Sequence, residues 1–102
     1  MKNQITRKLF LGFIYIHILH HGAKEAFFGS WMINELKHHG YDMSPGTLYP
    51  ILHSLETSGL LSKEEKNVGG KIRKYYTTTS TGEEALKELK EKALEMVKEI
   101  SE

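Results

Sequence analysis

The chain has 102 residues, which favours a single domain, and a domain this short buries a smaller share of its surface than a larger one. It contains no cysteine, which excludes disulfides, thiolate metal sites and cysteine nucleophiles. The net charge of +1 hides a segregation, because residues 1–82 carry ten Lys or Arg against six Asp or Glu, and residues 83–102 carry four against seven. A basic body with an acidic tail indicates an anionic partner, although such runs are more often simply solvated faces.

The first predicted element is a helix from Ile5 to His21, ended by His21-Gly22-Ala23. Its apolar residues repeat at helical spacing on two adjacent faces: Ile5, Leu9, Phe13 and Ile16 on one, and Phe10, Ile14 and Ile18 on the other. A helix of this kind must be covered on nearly all sides, so a second copy of the chain is implied. The alternation of β-branched isoleucines also fits a buried strand, but the length of the segment favours a helix.

The apolar run from Leu9 to Leu19 is not expected to be a secretory leader or a membrane segment. Eleven residues with His17 among them are too few to span a bilayer, and no small-residue cleavage site follows them. Together with the lack of cysteine, this predicts a cytoplasmic protein that does not engage a membrane.

The second predicted helix covers Ser30 to His39, with Gly40 as its C-terminal stop. Its inward residues are expected to be Ile33 and Leu36, with Trp31 and Met32 alongside.

The third helix starts near Ser44, which is a good N-cap. If the helix begins at Pro45, Pro50 removes a hydrogen bond in the second turn. If Thr47 is the cap instead, Pro50 falls in the first turn, where amide donors are unpaired anyway. The sequence leaves both starts open. The apolar stripe is the same in either case: Leu48, Ile51, Leu52 and Leu55.

A hairpin and a final helix are predicted after Gly59. Asn67-Val68-Gly69-Gly70 is a turn signal, and the β-formers of residues 71–78 follow it. Thr79 or Ser80 caps the last helix, whose apolar residues repeat at heptad-like spacing: Leu86, Leu89, Ala93, Met96 and Ile100. A seam of about two heptads is too short to stand alone and needs another surface.

Three helices, a hairpin and a fourth helix are the element order of a winged helix-turn-helix, so the fold class is mainly α with a small β-hairpin. We assign residues 1–79 to the winged helix-turn-helix DNA-binding domain and residues 80–102 to a C-terminal dimerisation helix. The predicted dimer interface combines the first and last helices: Leu9, Phe13, Ile16, Leu86, Leu89, Ala93, Met96 and Ile100.

The third helix and the hairpin carry the predicted DNA contacts. A recognition helix fits the major groove, and small or hydroxyl residues at its N-terminus let the backbone approach phosphate. The helix residues are Ser44, Gly46, Thr47, Tyr49 and His53, and the hairpin cations are Lys66, Lys71, Arg73 and Lys74. The simpler alternative to DNA contact is that the tyrosines are half-buried aromatics. In that case the lysines serve only to protect a strand edge from pairing.

Six histidines raise the question of a metal site, which the sequence does not favour. His17 and His21 stand at i,i+4, and Glu25 extends the set only if the helix runs on through Gly22. There is also no Gly-rich phosphate loop, nucleophile elbow or recognisable carboxylate pair. We therefore expect no metal, no cofactor and no enzymatic activity.

These residues resemble the PadR family of transcriptional regulators. The resemblance is carried by Ser44-Pro45-Gly46-Thr47-Leu48-Tyr49-Pro50-Ile51-Leu52, Leu55-Glu56, Gly59-Leu60, Gly70-Lys71, Arg73-Lys74-Tyr75-Tyr76, Thr79 and Gly82. It implies a homodimeric repressor on a palindromic double-stranded DNA operator, with the first and last helices building the dimer. The single C-terminal helix is similar to that of the short subfamily.

The resemblance further implies a small hydrophobic effector that binds near the dimer interface and weakens DNA binding. The pocket candidates are Phe10, Phe13, Tyr15, Met96 and Val97, without an aromatic sandwich, since the last helix has no Trp or Tyr. Family members often have Tyr after the glycine that opens the second helix, and Ser30 stands there as the substitute phosphate contact. Two alternatives stay open: a metal- or ligand-responsive sensor gated through the His-rich first helix, and a protein-interaction module that has lost DNA binding.

Overall fold

A computed structural model describes residues 4–102, so the first three residues of the predicted domain 1–79 lie outside the described part. The elements are α1 (Gln4–Lys24), β1 (Phe27–Phe28), α2 (Gly29–His38), α3 (Pro45–Thr57), β2 (Leu61–Val68), β3 (Lys71–Thr78) and α4 (Ser80–Ile100). The predicted element order and the mainly helical class are confirmed. The short strand β1 was not predicted; it pairs with β3, which makes a three-stranded antiparallel sheet of order β1-β3-β2.

The hydrophobic core lies where α1, α2 and α3 meet the base of the sheet. Its fully buried side chains come from all three helices and β2: Ile14, Ile18, Leu19, Met32, Leu36, Leu48, Leu52 and Leu61. Within residues 4–102, the only α4 side chain packed against this cluster is the half-buried Leu86. Helix α4 therefore leaves most of its apolar stripe outside the core.

Helix α2 begins at Gly29 and ends as predicted before Gly40, which adopts a φ of 89°. Met32 and Leu36 are buried, whereas Trp31, expected beside the core, is 40% exposed. Within residues 4–102, none of the helices combines the length and the apolar character that crossing a bilayer requires.

Helix α3 begins at Pro45 with Ser44 as its N-cap, which decides between the two starts that the sequence left open. Pro50 therefore lies inside the helix and deprives the Gly46 carbonyl of its usual donor. Both residues lie on the exposed face, where water can hydrate that carbonyl. The predicted apolar stripe is confirmed, since all four of its members are buried: Leu48, Ile51, Leu52 and Leu55.

Helix α1 continues through Gly22 to Lys24, so the prediction that it ends at His21-Gly22-Ala23 was wrong. Gly22 is buried where the end of β3 crosses α1, and a methyl group there would lie 2.5 Å from Thr78 Oγ1 and 3.1 Å from the Thr78 amide nitrogen. Thr78 Oγ1 donates to the Leu19 carbonyl at 2.8 Å. Gly22 therefore permits a close approach between two elements and does not terminate the helix.

The predicted hairpin, called the wing from here on (residues 61–78), is confirmed. Gly69 and Gly70 have φ values of 59° and 86°, as a two-residue type I′ turn requires. The Gly70 amide donates to Asn67 Oδ1 at 3.0 Å. The register places Lys66 opposite Arg73, so two cations lie side by side near the end of the hairpin.

Replacement of Gly22 tests the contact between α1 and β3. We expect Gly22→Ala to lower the free energy of unfolding by about 1–3 kcal/mol, the usual cost of overpacking. Alanine is the better helix former by about 1 kcal/mol, so the sign of the change decides which effect is larger. Urea denaturation followed by circular dichroism measures it.

The control is Ala23→Gly at the next position of α1. There the ordinary helix preference applies, and glycine should cost about 1 kcal/mol. A Gly22→Ala protein about 1 kcal/mol more stable than the parent would show that Thr78 does not press on α1.

Candidate nucleic-acid interface

The exposed face of α3 carries the residues that the sequence assigned to DNA recognition. Gly46, Tyr49 and His53 are exposed, while the opposite face is packed in the core. Ser44 is exposed at the N-cap, and its Oγ lies 3.3 Å from Thr47 Oγ1. A hydroxyl pair therefore stands at the positive end of this helix.

Arg7 is a residue of this surface that the sequence analysis missed. Its Nη2 donates to Thr47 Oγ1 at 3.3 Å, so a guanidinium from α1 lies at the N-terminus of α3. The two residues share a surface groove with Ser44 and Asp42, and Asp42 offsets part of the positive charge. No local pattern could have found Arg7, because it is 40 residues away from Thr47 in the chain.

A groove of about 330 Å³ lies between the N-terminus of α2, Tyr49 of α3 and the wing. It brings together five of the predicted DNA contacts, which are Ser30, Tyr49, Lys71, Arg73 and Lys74. The first turn of α2 opens into it, and amide groups at a helix N-terminus favour an anion. Cations, hydroxyls and a helix N-terminus thus converge on one concave surface.

Tyr49 is positioned in this groove by Gly29. A methyl group on Gly29 would overlap the phenol ring and the Oη of Tyr49, so only glycine lets the ring lie against the first turn of α2. The ring is 40% exposed. Tyr49 is therefore an exposed aromatic whose hydroxyl lies beside the N-terminus of α2.

Aromatic rings hold the two central cations of the wing. Arg73 Cζ lies 4.3 Å from the centroid of Phe28, and Lys66 Nζ lies 5.2 Å from that of Tyr75. Phe28 and Tyr75 are register partners across β1 and β3. Like charges directly opposite in a sheet destabilise it, and an anion bound between Lys66 and Arg73 would remove that cost.

Most of the predicted dimer residues meet in a groove between α1 and α4. It is lined by Leu9, Phe13, Ile16, Leu89, Ala93 and Met96, together with Gly12 and Lys92. Leu86 lines an adjoining groove, and Ile100 lies beyond both with 72% of its surface exposed. Leu9 is 68% exposed, so this apolar surface faces solvent in the single chain.

The five predicted effector residues do not line one cavity of the single chain. Phe13 and Met96 lie in the groove just described, and Val97 lies in the adjoining one. The Phe10 ring packs edge-on against Tyr41 at 5.8 Å, and Tyr15 packs against the core.

A cluster of three histidines lies between α1 and the end of α2. The nitrogens of His17, His21 and His39 lie within 4.8 Å of one another. Glu35 Oε2 lies 3.3 Å from His21 Nε2 and 3.0 Å from His39 Nε2. Burial lowers the pKa of His17, aided by the neighbouring histidines, and burial also lowers the pKa of His21 against the opposing effect of Glu35. In both rings the lowered pKa favours the neutral form.

No metal ligands were predicted from the sequence, in which Glu25 is the third candidate at helical spacing from His17 and His21. His39 is the C-cap residue of α2, and it approaches His17 and His21 only through the tertiary fold.

Residues 18–88 match the family model described as "Transcriptional regulator PadR-like family". The chain belongs to this family. Transcriptional regulator Rv3488 of Mycobacterium tuberculosis (strain ATCC 25618 / H37Rv) is 45% identical over 87 residues, which are 85% of this chain and 81% of that protein. The PadR resemblance found in the third helix and the wing is confirmed.

Solved PadR structures share the fold. A PadR family transcriptional regulator from Eggerthella lenta DSM 2243 superposes with a TM-score of 0.84 at 31% identity, covering 95% of this chain and 86% of that one. A PadR-like transcriptional regulator from Bacillus cereus strain ATCC 14579 gives a TM-score of 0.83 at 27% identity, covering 92% and 93%. This PadR-like chain is thus a transcriptional regulator of a DNA-binding family.

Proposed function

We propose that this PadR-like protein is a homodimeric repressor that binds a palindromic operator through α3 and the wing. The observation that carries the proposal is the groove that joins Ser30, Tyr49, Lys71, Arg73 and Lys74 at the N-terminus of α2. Ammonium, guanidinium, hydroxyl and helix N-terminal amide groups are the usual donors to phosphate oxygens. The groove therefore suits a phosphate of the DNA backbone.

Helix α3 enters the major groove beside that phosphate. Ser44, Thr47 and Arg7 contact phosphate at its N-terminal end, and His53 on the exposed face reaches base edges. Phosphate contacts set the position of the protein on the duplex, and base contacts select the sequence. His53 is thus the residue expected to carry specificity.

The dimer forms through α1 and α4. Exposed apolar side chains from both helices line one continuous surface, and a chain this small gains from burying it against a second copy. A two-fold axis relates the two recognition helices of such a dimer, and binding to a palindrome requires them to lie about 34 Å apart, one turn of DNA. Repression follows because the bound dimer occupies promoter DNA.

A small hydrophobic effector is proposed to bind in the adjoining α1–α4 groove. That groove measures about 560 Å³ and is lined mainly by apolar residues that include Ile16, Leu86, Leu94 and Val97. Its volume is within the usual range of ligand sites, roughly 300–1,000 Å³. Of the five residues first proposed, Val97 lies here, so the site is displaced from the sequence-based set.

The wing cations are tested by Lys71→Ala and Arg73→Ala. Each should weaken binding to all DNA sequences, and each should flatten the salt dependence by about one unit of log–log slope for every phosphate that the protein no longer neutralises. The measurement is fluorescence anisotropy over a range of salt, with the DNA upstream of the protein's own gene beside a scrambled duplex.

Lys98→Ala is the matched control, since it removes one exposed lysine from the last turn of α4. If both wing variants keep the parental affinity and slope, the wing does not contact phosphate. Equal, weak binding of the parent to both duplexes would instead favour a protein-interaction module.

The role of Arg7 is tested with Arg7→Gln, which removes the charge and keeps an amide that can still donate to Thr47. We expect a slope reduced by about one unit. Lys8→Gln is the control, because adjacent residues on a helix point in different directions. If both variants keep the parental slope, the N-terminal part of α1 does not contact DNA.

The dimer surface is tested with Leu89→Glu, which puts a charge in the α1–α4 groove. An unpaired charge buried in an interface costs several kcal/mol, so light scattering should report a monomer at concentrations where the parent is a dimer. Ser101→Glu adds the same charge at the exposed end of α4 and should stay dimeric. A dimeric Leu89→Glu protein would exclude this groove as the interface.

A further inference from the structure

The cluster of His17, His21 and His39 has no part in the proposed DNA contacts or in the hydrophobic core. His17 and His21 are half-buried on α1 and share a face at i,i+4, and the ring of His39 stacks on that of His17 at 4.3 Å between centroids. Three imidazoles and one carboxylate thus meet at the junction of two helices. We propose that His17, His21 and His39 bind a divalent transition-metal ion of the zinc class, with Glu35 as the adjacent carboxylate.

The spacing of the nitrogens fits such an ion. Three atoms within 4.8 Å of one another fit a circle of radius about 2.8 Å, and a Zn–N bond is about 2.0–2.1 Å long. Each ring then moves inward by less than about 1 Å, which small side-chain rotations supply. His21 and His39 are 18% and 43% exposed, so an ion can reach the site from solvent.

The donor set selects the class of metal. Neutral imidazole nitrogens suit Zn²⁺, Cu²⁺ and Ni²⁺, whereas Mg²⁺ and Ca²⁺ require oxygen ligands. Three histidines leave a fourth position for water. The nearest carboxylate is Glu35, whose Oε2 already lies within 3.3 Å of two of the rings.

Glu35 is assigned a positioning role. A carboxylate beside ligating imidazoles fixes the orientation of the rings and raises their basicity. It also offsets part of the charge that a divalent ion brings close to Lys24 and His20, both of which act on His21.

The ion would link two parts of the proposed regulator. His17 also lines the α1–α4 groove, and His39 caps α2 directly before the segment that leads to α3. This placement rests on the proposed function, but the metal site does not, because binding is measured on the protein alone.

The experiment is calorimetric titration of zinc chloride into the full-length, chelator-stripped protein at neutral pH. One ion per chain is expected for the parent. His17→Gln and His39→Gln should each lose at least tenfold in affinity, and Glu35→Gln should lose roughly tenfold. His38→Gln is the matched control, because it removes the neighbouring imidazole outside the cluster and should bind as the parent does.

Thermal unfolding gives a second measurement that also checks folding. With chelator present, the variants should melt close to the parent, and zinc should raise the Tm of the parent and of His38→Gln but not of His39→Gln. Magnesium chloride should raise none of them.

The proposal is overturned if the parent binds no zinc, or if His38→Gln weakens binding as much as His39→Gln. It is also overturned if the cluster variants bind zinc as the parent does. A failure of DNA binding in the anisotropy experiment leaves all of these outcomes unchanged.

Discussion

The close packing of α1 against the end of β3 fixes how the functional surfaces are arranged. Gly22 has no side chain where Thr78 crosses, and the buried hydroxyl of Thr78 bonds the Leu19 carbonyl. Helix α1 also packs against α2 and α4, so successive parts of this helix lie beside different surfaces of the protein. Arg7 reaches α3, the histidines face the end of α2, and the residues between them face α4.

The short strand β1 also determines the geometry of the proposed DNA-binding surface. β1 pairs with β3 through Phe28 and Tyr75, and these two rings hold Arg73 and Lys66 by cation–π contacts. Gly29, the next residue, begins α2 and receives the ring of Tyr49. A few residues therefore bring the wing, α2 and α3 to a common groove. The backbone pairing of β1 with β3 determines where the cations of the wing lie in that groove.

Local signals accounted for most of the fold, and contacts between distant residues accounted for what was missed. The apolar stripe of α3, the glycine turn of the wing and the Thr79 cap are set by neighbouring residues, so periodicity and capping rules found them. β1 is too short to show a period. A glycine near the end of a helix looks the same in sequence whether it stops the helix or permits a close contact, so Gly22 was misassigned. Arg7 and His39 reach their neighbours only through the tertiary fold. The wing cations were predictable as a charge cluster, whereas helix geometry separates the five effector candidates.

The small contribution of α4 to the core has a consequence for how the regulator responds to its own abundance. A helix whose apolar stripe lies outside the core of its own chain gains most of its stability from whatever covers that stripe. If a second copy does so, folding of this segment and assembly become one equilibrium, and stability rises with protein concentration. DNA occupancy then depends on roughly the square of the chain concentration at low abundance. Such a dependence gives a regulator a threshold without any effector.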